Sequence, residues 1–217
     1  MPATMQTLQS REEWLAKRKG YIGGSDASAV VGLNPYKTNI ELWLEKTGQS
    51  QPADIGDNPL VKYGHDAEEY LRELFKLDFP EYTVHYAENN LWLNDKYPFG
   101  HASLDGWLYD RDGRLGILEI KTTSILQSMQ KEKWKGRIPD NYYIQILHYM
   151  LIMEADFAIL KAQLKYDYDG EIKLVTQHYY INRKEVADDI EYLKQAEIEF
   201  SKNVKQGKRP ALILPAL

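Results

Sequence analysis

The sequence predicts a mixed α/β (α+β) fold in which a central, mainly antiparallel sheet is flanked by helices. Segments with apolar residues at helical spacing open and close the chain, whereas short apolar runs typical of strands fill its middle. Two turn dipeptides, Asp112-Gly113 and Asp169-Gly170, each separate a pair of such runs and predict two hairpins. With 217 residues and 43% hydrophobic content, the chain can bury one sizeable core, so we expect a single domain over residues 1–217.

Four helices are predicted before the first strand. Two of them begin with a capping box, Ser-x-x-Glu at residues 10–13 and Thr-x-x-Glu at residues 38–41. A glycine-rich turn at residues 21–26 precedes a short helix, and a polar loop at residues 49–59 precedes a longer one. The predicted helices cover residues 10–19, 27–31, 38–48 and 61–77.

The second half of the chain predicts strands, one internal helix and a long final helix. Asp140 is placed to cap the internal helix, which runs to residue 153. The motif Asn182-x-x-Glu185 is placed to begin the final helix, which Gly207 ends. The strand-like segments are residues 82–87, 91–94, 104–109, 115–122, 157–166 and 172–181.

The composition excludes several kinds of site. The chain contains no cysteine, which excludes disulfides, thiolate zinc sites, iron–sulfur clusters and cysteine nucleophiles. A net charge of −5 argues weakly against a simple cationic nucleic-acid coat protein, but phosphate contacts can be concentrated locally in an acidic protein. No apolar run is long enough for a membrane span, and the N-terminus lacks the apolar core of a secretory signal. We therefore expect a cytoplasmic protein with no membrane partner.

The most informative segment is the predicted strand at residues 116–122, because it carries two opposite charges. Glu119 and Lys121 are two residues apart and so point to one face, while the apolar residues between and beside them point to the other. Asp105 lies 14 residues upstream on a second short strand that we expect to pair antiparallel with the first. Two carboxylates and a lysine that converge from neighbouring strands are typical of a Mg²⁺-dependent nuclease. The alternative is an edge hairpin whose charges form a solvated pair of little energetic value.

The set Asp105…Glu119-x-Lys121 resembles the PD-(D/E)XK nuclease signature, which implies a restriction-endonuclease-like core. Three further motifs resemble those of the YqaJ-like viral recombinase and lambda exonuclease family, and all occur in the family's order. These motifs are Arg18-x6-Ser25, Gly64-x-x-x-Glu68 and Gln145-x-x-x-Tyr149.

The resemblance implies a metal site built from oxygen ligands, which hard cations prefer. Asp105, Glu119 and the backbone carbonyl of Ile120 would bind Mg²⁺, for which Mn²⁺ can substitute. Glu68 would add a carboxylate from its helix, directly or through water. The rival for that role is Glu69, which the helical rotation turns about 100° away.

The resemblance also implies roles for four polar side chains. Lys121 would orient or deprotonate the attacking water and stabilise charge on the scissile phosphate. Gln145 would hold that water or Lys121; its alternative is a surface amide. Arg18 and Ser25 would bind the 5′-terminal phosphate of the degraded strand, although Ser25 could simply cap its helix.

Two other features are less specific. Some relatives use a histidine as a metal ligand, but the nearest family pattern places none at His101, so we favour a structural role for it. The segment of residues 131–137, with four basic residues and Trp134, could line a DNA track, although a solvated run of charges is the default interpretation.

The resulting hypothesis is a Mg²⁺-dependent exonuclease that digests one strand of double-stranded DNA from its 5′ end and leaves single-stranded overhangs for recombination. The resemblance further implies a homotrimer, a phage origin and a single-strand-annealing protein as partner. The alternatives are an endonuclease or a nuclease of other polarity on the same fold, and a non-catalytic module that binds DNA ends.

Overall fold

The computed structural model describes residues 3–53, 55–125, 128–168 and 170–214. Seven strands and seven helices are assigned in that part of the chain. In chain order they are β1 Thr4–Thr7, α1 Arg11–Arg18, α2 Gly24–Val30, α3 Asn39–Lys46, α4 Pro59–Asp78, β2 Thr83–His85, β3 Asn90–Leu93, β4 Gly106–Tyr109, β5 Leu115–Ile125, α5 Ser128–Lys133, α6 Asp140–Met153, β6 Phe157–Tyr168, β7 Glu171–Asn182 and α7 Ala187–Lys205.

The central sheet has five strands in the order β2-β4-β5-β6-β7. Strands β5 and β6 run parallel, and the other three neighbouring pairs run antiparallel. The parallel pair arises because α5 and α6 cross over between its strands. A separate antiparallel pair joins β1 to β3. The predicted mixed, mainly antiparallel sheet flanked by helices is therefore confirmed.

Strand β5 separates two apolar clusters, one on each face of the sheet. Ile117 belongs to the larger cluster, which includes the buried face of α6. Leu118 and Ile120 belong to the smaller cluster, where they meet Leu71 and Phe75 of α4. This alternation confirms the predicted two faces of the strand, and it places residues with the parity of Glu119 and Lys121 toward α6.

The predicted turns and caps are reproduced in part. Thr38 and Glu41 form the predicted capping box at α3. Ser10 accepts from the Glu13 amide at α1, but the Glu13 carboxylate accepts from the Gln9 amide rather than from that of Ser10. Asp169, part of the second predicted turn, lies outside the described residues.

The structure contains two elements that the sequence did not predict, β1 before the first helix and the short helix α5, and several boundaries differ from the sequence prediction. Strand β4 begins at Gly106, so Asp105 lies just before the paired strand. Helix α2 begins at Gly24, three residues earlier than predicted. Pro139 occupies the N-cap of α6, so Asp140 is the first helical residue and not the cap.

A further difference is at α7. Asn182 is still paired with Phe157 in the β6–β7 ladder, and α7 begins after Val186. The ladder thus continues through the sequence motif that predicted a helix start, because pairing satisfies the backbone of Asn182. No helix in the described part of the chain is both long enough and apolar enough to cross a bilayer.

Candidate active site

Asp105 lies against β5 through a hydrogen bond to the backbone. The last cross-strand pair of β4 and β5 joins Gly106 to Leu118. Asp105 lies one residue before Gly106, and its side chain continues the hydrogen bonding to β5. The carboxylate Oδ2 accepts from the Ile120 amide at 2.8 Å. Because the N–H and C=O of a strand residue point to the same edge, the Ile120 carbonyl faces Asp105 as well. The predicted meeting of Asp105 with the charged strand is therefore observed.

Glu119 is fully buried, with 0% of the residue exposed. Its Oε1 accepts from Lys121 Nζ at 2.6 Å and from Gln145 Nε2 at 2.7 Å. Its Oε2 is buried and has no hydrogen-bond partner in the described part of the protein. A buried carboxylate oxygen without a partner is costly, so this atom is a natural position for a cation.

Gln145 connects Glu119 to the next turn of α6. Its Nε2 also lies 3.1 Å from the hydroxyl of Tyr149, one turn further along the helix. The interpretation of Gln145 as a surface amide is wrong, because the side chain contacts Glu119 rather than only solvent. Its hydrogen bond is to Glu119, however, and not to Lys121.

Glu68 approaches the site from α4, on the other side of Asp105. Arg72, one helical turn along, donates from Nη1 to Glu68 Oε1 at 3.0 Å and to the Asp105 carbonyl at 2.7 Å. Glu69 is exposed, so the helix turns Glu68 and not its neighbour toward the site. None of the sequence motifs assigned Arg72 a role at the site. Its spacing of four residues from Glu68 is the signal that could have drawn attention to it.

The carboxyl groups of the site resist ionisation. Burial and the charge of Asp105 raise the pKa of Glu68 to about 7. Burial and the charge of Asp105 also raise the pKa of Glu119 to about 8, against the opposing effect of Lys121. Burial raises the pKa of Asp105 as well, although Lys121 opposes it. Carboxylates that raise one another's pKa form a site short of positive charge, which is the condition for binding a cation.

Lys121 has the opposite behaviour. Burial disfavours its ammonium form, but the charges of Glu119 and Asp105 outweigh burial and raise its pKa above the ordinary lysine value. Lys121 is therefore protonated in this arrangement. Burial and the charge of Glu119 raise the pKa of Tyr149, so its hydroxyl remains neutral.

The donor set fits a hard divalent cation, but side chains alone do not complete it. Asp105, Glu119 and the Ile120 carbonyl offer only oxygen atoms, as Mg²⁺ prefers. Within the described residues, no three acidic or histidine side chains are close enough together to hold a metal ion. A cation at Glu119 Oε2 would thus need the backbone carbonyl and water, and Glu68 would act beside it.

Arg18 and Ser25 lie on neighbouring elements near the same helix, α6. The Arg18 Nε donates to His101 Nε2 at 3.4 Å, and its guanidinium lies 4.0 Å from the centre of the Trp14 ring. A Cβ on Gly23, the N-cap of α2, would lie 3.7 Å from Arg18 Nη2. Ser25 is exposed two residues further on, inside the first turn of α2, so it does not cap the helix.

His101 is buried and lies beside Arg18, not among the carboxylates. Its backbone amide donates to the Ile22 carbonyl, and its own carbonyl lies 2.9 Å from His148 Nε2. Burial and the charge of Arg18 lower the pKa of His101 well below the ordinary value, so the ring is neutral. These contacts support a structural role.

The basic segment, residues 131–137, is divided by Trp134. Trp134 is 3% exposed and contacts Tyr142 and Tyr179, so it belongs to the core and does not line a DNA track. The four basic side chains of the segment are all exposed: Lys131, Lys133, Lys135 and Arg137.

The five-stranded mixed sheet flanked by helices has the PD-(D/E)XK fold, and Asp105, Glu119 and Lys121 lie where β4 meets β5. The model of the YqaJ-like viral recombinase domain matches residues 13–156, and the chain belongs to that family. The chain is 32% identical over 213 residues to the YqaJ protein of Bacillus subtilis (strain 168). That alignment covers 94% of this chain and 59% of the relative, so the chain spans little more than half of the relative's length.

Solved structures show the same fold. The alkaline exonuclease from Laribacter hongkongensis superposes with a TM-score of 0.63 and 19% identity, covering 91% of this chain and 96% of that one. The same exonuclease in complex with dAMP gives a TM-score of 0.60. A phage-related exonuclease from Haemophilus somnus 129PT gives a TM-score of 0.51 with 15% identity, covering 86% of this chain and 96% of the other.

Proposed function

We propose that this chain is a Mg²⁺-dependent exonuclease that digests one strand of double-stranded DNA from the 5′ end and acts as a single nuclease domain. The observation that carries the proposal is the buried Glu119 with an unpartnered Oε2, next to Lys121 and the strand that binds Asp105. Membership of a recombinase family and a fold shared with two exonucleases support a DNA substrate.

Asp105, Glu119 and the Ile120 carbonyl would hold Mg²⁺, with Mn²⁺ as a substitute, and Glu68 would act directly or through water. When bound, the ion would supply Lewis-acid activation of water and stabilisation of the leaving oxygen. The distribution of charge favours this arrangement, because the carboxyl groups of Asp105, Glu119 and Glu68 repel one another in its absence.

Lys121 would place its ammonium group against the scissile phosphate and stabilise the charge that develops there. Its raised pKa favours this role over proton abstraction in the arrangement observed. Gln145 would fix Glu119 Oε1, since it donates to that atom at 2.7 Å, and would so leave Oε2 facing the ion.

Arg18 and Ser25 would hold the 5′-terminal phosphate, and so define the polarity. Arginine binds phosphate through two parallel hydrogen bonds. A Cβ on Gly23 would lie 3.7 Å from Arg18 Nη2, and the exposed Ser25 follows two residues after Gly23. The resulting single-stranded overhangs would serve an annealing protein in phage-type recombination. A homotrimer would keep the enzyme on its polymeric substrate.

The rivals are an endonuclease or a nuclease of other polarity, and a non-catalytic module that binds DNA ends. A phosphate-binding Arg18 has little use in an endonuclease, and a module that only binds DNA has no need of a buried Glu119 beside Lys121.

The test is timed digestion of a linear duplex labelled separately at the 5′ end and at the 3′ end of one strand, with Mg²⁺ or with a chelator, and with a closed circle as a control substrate. We expect digestion of the linear duplex only, from the 5′ label, and only with the metal. Glu119→Ala and Lys121→Ala should each lose at least about 100-fold in rate. Cleavage of the circle, or undiminished digestion by both variants, would defeat the proposal.

A second experiment tests the polarity of digestion. Arg18→Ala should reduce the preference for a 5′-phosphate over a 5′-hydroxyl, because the guanidinium is the charged partner of the phosphate. If the preference is unchanged while Glu119→Ala is inactive, the site is a nuclease site but its polarity is set elsewhere.

A further inference from the structure

Arg72 is a buried cation that joins Glu68 of α4 to Asp105, which lies just before β4. It is 4% exposed, which is unusual for arginine, and a buried guanidinium requires partners for its donors. Its partners are the carboxylate of Glu68 on the same helix and the carbonyl of Asp105, which lies 33 residues beyond Arg72 in the chain.

We infer that Arg72 is a positioning residue for the metal site, because it sets where Glu68 and Asp105 stand relative to each other. This inference rests on the proposed function. Both hydrogen bonds come from the same nitrogen, Nη1, so the carboxylate of one residue and the carbonyl of the other are held at a common point.

Both the backbone carbonyl and the side-chain carboxylate of Asp105 are consequently held by hydrogen bonds. Its backbone carbonyl accepts from Arg72 at 2.7 Å and its carboxylate accepts from the Ile120 amide at 2.8 Å. Two such bonds leave the residue little freedom to rotate, although it lies outside the regular strand. Groups that orient metal ligands in this way usually change metal affinity when they are removed.

The ring of Tyr86 covers the guanidinium. The Arg72 Cζ lies 3.6 Å from the centre of the Tyr86 ring, which is 42% exposed. Stacking of the planar guanidinium on the tyrosine ring fixes the orientation of its N–H donors, which a lysine ammonium could not reproduce. Arg72 therefore acts through the orientation of its N–H donors as well as through its positive charge.

The test uses metal binding without DNA, measured by calorimetric titration of the full chain with Mn²⁺. The Arg72→Met variant should bind the ion about tenfold more weakly or worse. Arg72→Lys keeps the charge but has a shorter side chain and no planar guanidinium to stack on Tyr86, and should weaken binding by about threefold, an intermediate result. The Mg²⁺ concentration for half-maximal digestion should move in the same order.

Lys76→Met is the matched control, since Lys76 also pairs with a glutamate of α4, Glu73 at 2.6 Å, but on the exposed side of the helix. It should bind Mn²⁺ as the parent does. Parental Mn²⁺ affinity in folded Arg72→Met would overturn the inference. If that variant does not fold, parental affinity in Arg72→Lys would overturn it equally. A parent that neither binds Mn²⁺ nor digests DNA would instead defeat the proposed function.

Discussion

At the scale of single residues, Glu119 is held in a position that opposes its ionisation. It lies inside the protein between the sheet and α6, and only one of its two oxygens has partners in the described part of the chain. A side chain so placed weakens the fold whenever it must carry a charge. The proposed metal site would account for a buried carboxylate that the fold alone does not need.

The stability of the metal-free protein should therefore fall as the pH rises. The pKa of Glu119 is raised from 4.5 to about 8 in the folded state, so the unfolded chain releases this proton first and is favoured between those values. The Glu119→Gln variant has no ionisable group at this position. We expect it to be more stable than the parent at pH 8 by on the order of 1–3 kcal/mol, and equal near pH 4.

Denaturant unfolding in a chelator, at several pH values, measures this difference. The control is Glu191→Gln, because Glu191 is exposed and its pKa is lowered by hydrogen bonds from Lys194 and Gln195. Parent and Glu119→Gln curves that run parallel from pH 4 to pH 8 would contradict the assignment. Added Mg²⁺ should stabilise the parent at pH 8 but not the Glu119→Gln variant.

At the scale of elements, the site depends on how closely α2 approaches α6. Gly24 is the first residue of α2, and a Cβ there would lie 2.6 Å from Tyr149 Cζ and 2.9 Å from Gln145 Cγ. Both neighbours belong to the hydrogen-bonded chain that reaches Glu119. The glycine-rich turn therefore permits close packing of two helices.

Gly24→Ala should destabilise the protein by about 1–3 kcal/mol, since neither the helix backbone nor the tyrosine ring has room to move. It should also slow digestion, because Gln145 would be displaced from Glu119. Gly20→Ala is the matched control, with no atom nearer than 4.0 Å to the added Cβ. The measurements are thermal unfolding and the digestion rate of each variant. Equal losses of stability and rate for Gly24→Ala and Gly20→Ala would refute the packing argument.

At the scale of the whole molecule, the proposed function requires an acidic protein to approach an acidic polymer, DNA. The net charge is −5, so attraction to DNA must come from local groups of cations. The basic segment offers Lys133, Lys135 and Arg137, all exposed. Because Trp134 anchors the segment in the core, these cations are held on a fixed part of the surface.

Replacing those three cations by alanine should weaken binding to a linear duplex and lower the salt dependence of the binding constant. The slope of log K against log salt should fall by about 1 for each phosphate that the protein no longer neutralises. A chelator in the binding assay prevents digestion. The measurement is fluorescence anisotropy at several salt concentrations.

The matched control replaces Lys202, Lys205 and Lys208 by alanine, near the end of α7 where Asn203 contacts Trp43 of α3. Both triple variants remove three positive charges from the same parent, whose net charge is −5, so a difference between them reports location. Identical salt slopes for the two variants would show that the basic segment has no special part in DNA binding.

Much of the fold could be predicted because periodicity is a local property. The two faces of β5 are visible in consecutive residues and are observed, since Ile117 and Leu118 belong to different apolar clusters. The helical spacing of α4 is observed as well, although Tyr70 and Leu74 of its apolar positions are exposed. The predicted helix starts at Asp140 and Asn182 are wrong for different reasons. Pro139 occupies the N-cap of α6 in place of Asp140, and Asn182 is paired with Phe157 in the long β6–β7 ladder. There, strand pairing overrides the local preference for a helix start.

By itself the sequence predicted most of the elements, although not β1 or α5, and the charged face of β5. It also predicted Asp105, Glu119, Lys121, Glu68 and Gln145 as members of one ordered pattern. Only the tertiary structure decided that Arg72 joins Glu68 to Asp105, that Gln145 contacts Glu119, and that Trp134 points inward. The physical reason is that these contacts connect residues far apart in the chain. Which donors meet which acceptors depends on how helices pack on the sheet, and the spacing of residues along one segment does not contain that information.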